Sequence, residues 1–364
     1  MSETSQSNAF TIIRPSYKVS ETTDKASTIH YANSPQGRAR QSNQFVLVRV
    51  LQSLLVFLTY HAYSIFLFTC SDFKTIVIPS TVFGVSNSLA ASAYGLENSP
   101  PVSLELLIDR TLQTFFWVIL VFIPFSIDNQ RTPSAIEEDT LNKPWRPMPQ
   151  KRLTPRQARW LMTCFFALVQ CHGISGRGLG HRQSTSLFLL GLWYNNFGGA
   201  DNHPVVRNGI NAAGYMCFIS GALENALGQR LDFPLQNPIG QTDLKFRLEQ
   251  WLLLIAGIIL TTVHLQDLYD QRGDAVRQRR TMPLVIGDGA ARWTIAIPMT
   301  VWAFVCPLFW KVRAELFVLS VGLAFTVVGR VLLRRDEKSD RSTFRVWNYW
   351  IATIYAMPLF SQVH

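Results

Sequence analysis

Apolar runs of about twenty residues recur along the chain, separated by short polar stretches dense in charge. A run of that length suits a helix that crosses a bilayer. The pattern predicts spans near 74–92, 108–127, 154–172, 182–198, 205–226, 248–265, 290–309, 314–333 and 345–361. Ahead of them, residues 1–44 are rich in Ser, Thr, Asn and Gln, lack periodicity and read as a disordered tail. No apolar h-region follows the first residues, so a cleavable signal peptide is not expected. Residues 45–70 turn apolar yet carry Arg49, His61 and several tyrosines, which suits an interfacial or re-entrant lead-in. The expected fold is all-α: a polytopic transmembrane helical bundle of about nine spans over residues 71–364.

In this count the loops 128–153, 199–204, 266–289 and 334–344 emerge on one side, and three of them are rich in Lys and Arg. The positive-inside rule makes that side cytosolic, so the bundle carries cytosolic capping loops, with the endoplasmic reticulum as the default membrane. Composition agrees with a membrane protein. Only 16% of the 364 residues are charged, against about 25% in soluble domains, while 48% are hydrophobic. The net charge of +10 therefore speaks for orientation and anionic surfaces. No nucleic-acid signature interrupts the apolar runs, so no nucleic acid partner is expected. The five cysteines form no CxxC, which argues against a zinc site or disulfide framework. Cys164, Cys171, Cys217 and Cys306 read as small buried hydrophobes.

Two charged clusters carry candidate chemistry. Asp267, Asp270 and Asp274 fall at i, i+3 and i+7, on one face of a helix, and Arg277, Arg279 and Arg280 follow. Carboxylates stacked this way repel one another unless a cation sits between them. Hard oxygen ligands without Cys or His suit Mg²⁺. Alone, the stretch is equally well a solvated charged loop. The second cluster tips the balance. Within 136–154, Glu138 and Asn142 are four apart, as are Asp139 and Lys143. Pro144, Pro147 and Pro149 stop the helix beyond them and keep Trp145 and Arg146 close to its acidic face. Both clusters emerge on the same side, as a diphosphate bridged by Mg²⁺ requires, and ionisable residues at a membrane are costly unless they function. A third polar stretch, Tyr194 to Asn211, offers Asn195, Asp201, Arg207 and Asn211 to close the pocket. His203 is a candidate base there, though a loop histidine beside a proline is more often solvated. His264, one turn before the aspartates, reads as a supporting partner.

These blocks resemble the UbiA superfamily of intramembrane prenyl-diphosphate enzymes, over roughly residues 70 to 361. Asn142, Pro144, Arg146 and Pro147 match its N-x-P-x-R-P. Asp267, Asp270, Gly273 and Asp274, then Thr281, Pro283 and Gly287, match its second block. The first acidic motif is eroded: Asp139 aligns with its last acid, while Arg131, Thr132 and Ala135 stand at three earlier positions. Asn129 is placed to supply the motif's asparagine and Glu138 to replace a missing acid, and Lys151 stands where a glycine is usual. This divergence is similar to the fungal membrane-bound terpene cyclases of the superfamily.

The resemblance implies an isoprenyl diphosphate substrate within a lipid bilayer. It implies Mg²⁺ held by Glu138, Asp139, Asp267, Asp270, Asp274 and Asn129. Asp270, Asp274, Asp139 and Glu138 would be catalytic, with Lys143, Arg146, Asn142, Arg279 and Arg280 binding the diphosphate. The implied reaction is cyclisation of farnesyl diphosphate; transfer of an isoprenyl chain to an aromatic or polyketide acceptor is the alternative. A carrier would more readily show inverted repeats or broken helices. Aromatic faces stabilise a carbocation, and the candidates are Phe115, Phe116, Trp117, Trp193, Tyr194, Tyr215, Trp347 and Trp350, although each alone is more often a packing residue.

Overall fold

The structure, a computed structural model, describes residues 35–96, 103–175, 178–231 and 244–361, and among these it is helical with no β-strand. It divides into units 1–61 and 62–364. The first unit is described from Pro35, where α1 (Pro35–Thr69) begins, ten residues inside the stretch expected to be a disordered tail. The same helix continues into the second unit and occupies the expected lead-in without a break. Residues 1–34 lie outside the described residues.

Every predicted run in the second unit is helical. A π-helical turn, Phe73–Val77, leads into α2 (Ile78–Leu89), and α3 (Leu104–Asp128) follows. The short α4 (Pro133–Asn142) precedes α5 (Pro155–Ser175), α6 (His181–Asn196), α7 (Pro204–Leu227) and α8 (Leu244–Thr262). Next come the short α9 (Asp267–Val276) and α10 (Met282–Ile286), then α11 (Asp288–Trp310), α12 (Ala314–Leu333) and α13 (Glu337–Ala356). By length and apolarity alone, five stretches suit a membrane crossing: Val46–Thr69, Leu104–Asp128, Phe246–Val276, Asp288–Trp310 and Ala314–Leu333. Four of them match predicted spans, and the fifth lies in the lead-in. The remaining runs are shorter or more polar. α7 buries Arg207, Asn208, Glu224 and Asn225, and α13 buries Asp340, Thr343 and Asn348.

Caps and close approaches fix the helices locally. Thr132 Oγ1 accepts from the Ala135 backbone N–H at 3.3 Å, with Pro133 in the first turn of α4. His203 Nδ1 accepts from Val205 N–H at 3.2 Å ahead of Pro204; this exposed histidine caps α7. Buried tryptophans fill the core of α8, α11 and α13, with Trp251, Trp310, Trp347 and Trp350 all inaccessible. A second core surrounds Trp117 of α3, whose ring fills the space left by Gly221. A Cβ added at Gly221 would lie 2.1 Å from that ring. Where hydrophobic burial from water gives little drive, such small residues let helices pack closely. The cysteines differ from expectation: Cys306 is buried, but Cys164 and Cys171 lie on the exposed face of α5.

Candidate active site

α9 carries the three aspartates, and α4 docks against it through one side chain. Asn142 Nδ2 donates to the Asp270 carbonyl at 3.0 Å, and its Oδ1 accepts from Gly273 N–H at 3.2 Å. The amide lies in the notch left by the missing side chain of Gly273; a Cβ there would come within 2.3 Å of Asn142 Nδ2. Asn142, expected to bind diphosphate, is instead engaged as the clamp between the two helices. That docking carries Lys143 to Asp270, with Nζ 3.0 Å from Oδ2.

The three carboxylates share one pattern. Asp267 Oδ1 lies 2.9 Å from Arg207 Nη2, Asp270 Oδ2 meets Lys143, and Asp274 Oδ1 lies 3.0 Å from Arg279 Nη1. The other oxygen of each, Oδ2 of Asp267, Oδ1 of Asp270 and Oδ2 of Asp274, is buried without a hydrogen-bond partner. A buried polar atom left unsatisfied costs about 1–3 kcal/mol, and more when charged. Buried carboxylate oxygens left in this way are where a divalent cation would find ligands. The buried Oδ1 of Asn129, whose residue lines the adjacent cavity, is likewise unpartnered. Among the described residues no three acidic, histidine or cysteine side chains converge tightly enough to enclose an ion. Mg²⁺ usually takes one or two carboxylates and completes its shell with water and substrate phosphate oxygens, so it would need only one or two of these side chains.

Glu138 and Asp139 do not follow this pattern, contrary to their expected role as metal ligands. Glu138 Oε2 lies 3.0 Å from Arg277 Nη1 and Oε1 3.1 Å from Arg279 Nη1. Arg146 Nη1 reaches both oxygens of Asp139, at 2.8 and 3.1 Å. Burial works to raise both carboxyls. At Asp139 it prevails over the Arg146 charge and the pKa rises. At Glu138 the opposing charges of Arg279, Lys143, Arg277 and Arg207 prevail, and the carboxyl is held down to about 2.

Arg280 also stands apart from the cluster it was expected to join. Its side chain is exposed, and Arg277 takes the expected place beside Arg279. The cause is the end of α9. Gln278 adopts a left-handed φ of 59°, its N–H donates to the Ala275 carbonyl, and Arg279 N–H donates to the Asp274 carbonyl at 2.9 Å. This Schellman closure turns residues 277 and 279 inward and 280 outward. Asp201 fixes the pair from the other side, with Oδ1 3.1 Å from Arg277 Nε and 3.0 Å from Arg279 Nε.

A cavity of about 110 Å³ lies against this cluster. Lys143, Arg146, Arg207 and Arg279 line it together with Glu138, Asp270, Asn129 and Asn211. Its wall also includes Asp72, which pairs with Arg146 at 3.4 Å, and Phe122, Phe125 and Gln266. None of these four was singled out from sequence, and Asp72 sits in an unremarkable CSDFK stretch. Ile76, Phe125, Tyr194, Asn211 and Tyr215 are shared with a second, smaller apolar pocket that adds Leu187, Leu190, Ile210, Gly214 and Phe218. Of the eight aromatic candidates, Tyr194 and Tyr215 line the cavity. Trp117, Trp347 and Trp350 are packed in cores, Phe115 packs at the edge of one, and Phe116 and Trp193 are exposed. In the third stretch, Arg207 also bonds the Tyr194 hydroxyl, and Asn195 Nδ2 donates to Asp128 at 3.1 Å. His264 is held between Asn208 and Thr294, at 3.1 and 2.9 Å, below α9.

The chain is similar to several known proteins. The chain is 29% identical over 300 residues to fumagillin beta-trans-bergamotene synthase of Aspergillus fumigatus, covering 82% of this chain and 93% of that one. It is 26% identical to somaliensene A/B synthase of Streptomyces somaliensis, over 81% of this chain and 91% of that one. A UbiA homologue from Archaeoglobus fulgidus, solved with DMAPP and Mg²⁺ bound, superposes with a TM-score of 0.50 at 13% identity, over 78% of this chain and 98% of that one. Residues 77–351 match the UbiA prenyltransferase family, and the chain belongs to that family.

Proposed function

We propose that this protein is a Mg²⁺-dependent membrane terpene cyclase that ionises farnesyl diphosphate, cyclises the resulting carbocation and releases diphosphate. The observation that carries the reading is the α9 pattern: three carboxylates, each with one oxygen held by a cation and one free, beside a cationic cavity that shares its wall with an aromatic-lined pocket. Asp267, Asp270, Asp274 and Asn129 would hold Mg²⁺, which when bound neutralises charge on the departing diphosphate. Lys143, Arg146, Arg207 and Arg279 line the same cavity and stabilise that charge from preset positions. The apolar pocket takes the isoprenoid and excludes the water that would quench a cation. Tyr194, Tyr215, Phe125 and Phe218 line it, and aromatic rings can stabilise a carbocation. The synthase relatives and the eroded first motif support cyclisation without an acceptor. The family itself supports the second reading, transfer of an isoprenyl chain to an aromatic or polyketide acceptor.

The same proposal sets the architecture. Nine spans make up a catalytic bundle over residues 71–364, with 45–70 as the lead-in and an N-terminal polar tail. The clusters face the cytosol from the endoplasmic reticulum membrane, as the basic loops suggest. Membranes containing the protein, incubated with farnesyl diphosphate and Mg²⁺ and no acceptor, should yield a cyclic sesquiterpene. The product should vanish with a chelator or with Asp270→Ala. Pyrophosphate released only once an aromatic acceptor is added would overturn cyclisation in favour of transfer.

A further inference from the structure

We infer that Glu138 and Asp139 are positioning residues for arginines and do not ligate metal, so that cations, with no second metal, hold the diphosphate on the α4 side. The inference rests on the diphosphate reading above and assigns the two halves of that site different chemistry. On α9 every aspartate keeps a free oxygen. On α4 all four carboxylate oxygens of Glu138 and Asp139 are already bonded to guanidinium nitrogens, at 2.8 to 3.1 Å. A divalent ion placed on either carboxylate would sit next to Arg277, Arg279 or Arg146, and like charges that close repel strongly in a buried site.

The arginines are also held more firmly than substrate-free cations need to be. Glu138 and Asp201 grip Arg277 and Arg279 from two sides, and Arg279 further contacts Asp274. Arg146 is held by Asp139 and, at 3.4 Å, by Asp72. Such a frame fixes guanidinium groups in one geometry, and a preset fork is what oxyanion recognition uses. Glu138, Arg146 and Arg279 all line the cavity that Asp270 lines. Of the earlier acids of the first motif, one position is now Arg131, and it pairs with Asp128 at 2.7 Å. The carboxylates of α4 are thus already neutralised by arginines.

Two binding measurements on the purified full-length protein test this without turnover. Mn²⁺ titration followed by electron paramagnetic resonance should give dissociation constants for Glu138→Gln and Asp139→Asn within about threefold of wild type. Asp270→Asn should weaken Mn²⁺ at least tenfold. Inorganic pyrophosphate, titrated calorimetrically in excess chelator, should still bind, and Arg146→Gln and Arg279→Gln should each weaken it at least tenfold. Glu138→Asp, which keeps the charge but withdraws it by one methylene, should weaken it severalfold while leaving Mn²⁺ affinity unchanged. Loss of Mn²⁺ affinity in Glu138→Gln or Asp139→Asn, comparable to Asp270→Asn, would overturn the inference and leave the diphosphate reading standing. Wild-type protein that binds neither Mn²⁺ nor pyrophosphate would overturn both.

Discussion

Replacing Gly273 by alanine should destabilise this protein, although alanine is the better helix former. The change would ordinarily add about 1 kcal/mol of helix stability. Here the new Cβ would lie 2.3, 2.6 and 2.9 Å from three atoms of Asn142, and no other residue is as near. Asn142 must rotate away, losing its bonds to Asp270 O and Gly273 N–H. Two such bonds are worth about 2 kcal/mol net, and stranding the buried amide adds about 1–3 kcal/mol. The balance is a loss of about 2–4 kcal/mol. Asn142→Ala alone should cost about 2 kcal/mol. In that background the clash is gone, and Gly273→Ala should become stabilising by about 1 kcal/mol. A double-mutant cycle on unfolding in detergent reads the coupling directly. A neutral Gly273→Ala, or a penalty that persists without Asn142, would refute the clamp and with it the account of how Lys143 reaches Asp270.

Other expectations follow from the same geometry. Arg279→Ala should lower pyrophosphate release at least a hundredfold, because it removes a cation from the cavity, whereas the exposed Arg280→Ala should change it less than threefold; equal effects would contradict the turn at Gln278. Gly214 lines the apolar pocket, and a Cβ there meets only Leu187, at 3.9 Å. Gly214→Ala should therefore fit and narrow the pocket, shifting kcat/KM from farnesyl toward geranyl diphosphate about tenfold, as competition assays would show. Lys151 holds a left-handed φ of 53°, so Lys151→Gly should leave the melting temperature equal or higher, while Lys151→Val should cost more than about 1 kcal/mol.

The sequence made some of this legible and hid the rest for definable reasons. Helical periodicity placed Asp267, Asp270 and Asp274 on one face because that depends only on local spacing. Lys151, which stands where a glycine is usual, adopts a left-handed φ of 53° that its own side chain gives no sign of. Partner choice was not legible. Arg207 reaches Asp267 across 60 residues and Arg277 reaches Glu138 across 139, so no local pattern distinguishes a carboxylate that awaits a metal from one already neutralised. The outward turn of Arg280 was not legible because the inward set depends on one non-glycine residue, Gln278, adopting positive φ. Among aromatics, periodicity located helices but not which face meets the cavity, so Phe125 went unnoticed while Trp117 lies in a glycine-lined core.

α9 itself shows why those distant partners matter. Ten residues are too few for a helix to persist on its own, since isolated helices below about 12–15 residues are marginal. This one also stacks three carboxylates on a face, which repel. Its persistence has to come from outside, and the clamps sit on different sides of it. Asn142 bonds its backbone from α4. Gln271 Nε2 donates to Asp288 at 3.1 Å, and Asp288 pairs with Arg292, whose guanidinium also holds Asp340 of α13. The cations Arg207, Lys143 and Arg279 offset the repulsion by taking one oxygen from each aspartate. An arrangement that stabilises the helix with half of its carboxylate oxygens leaves the other half for chemistry. Adding partners to those remaining oxygens would make a more stable protein and, under the proposed function, occupy oxygens that Mg²⁺ would use.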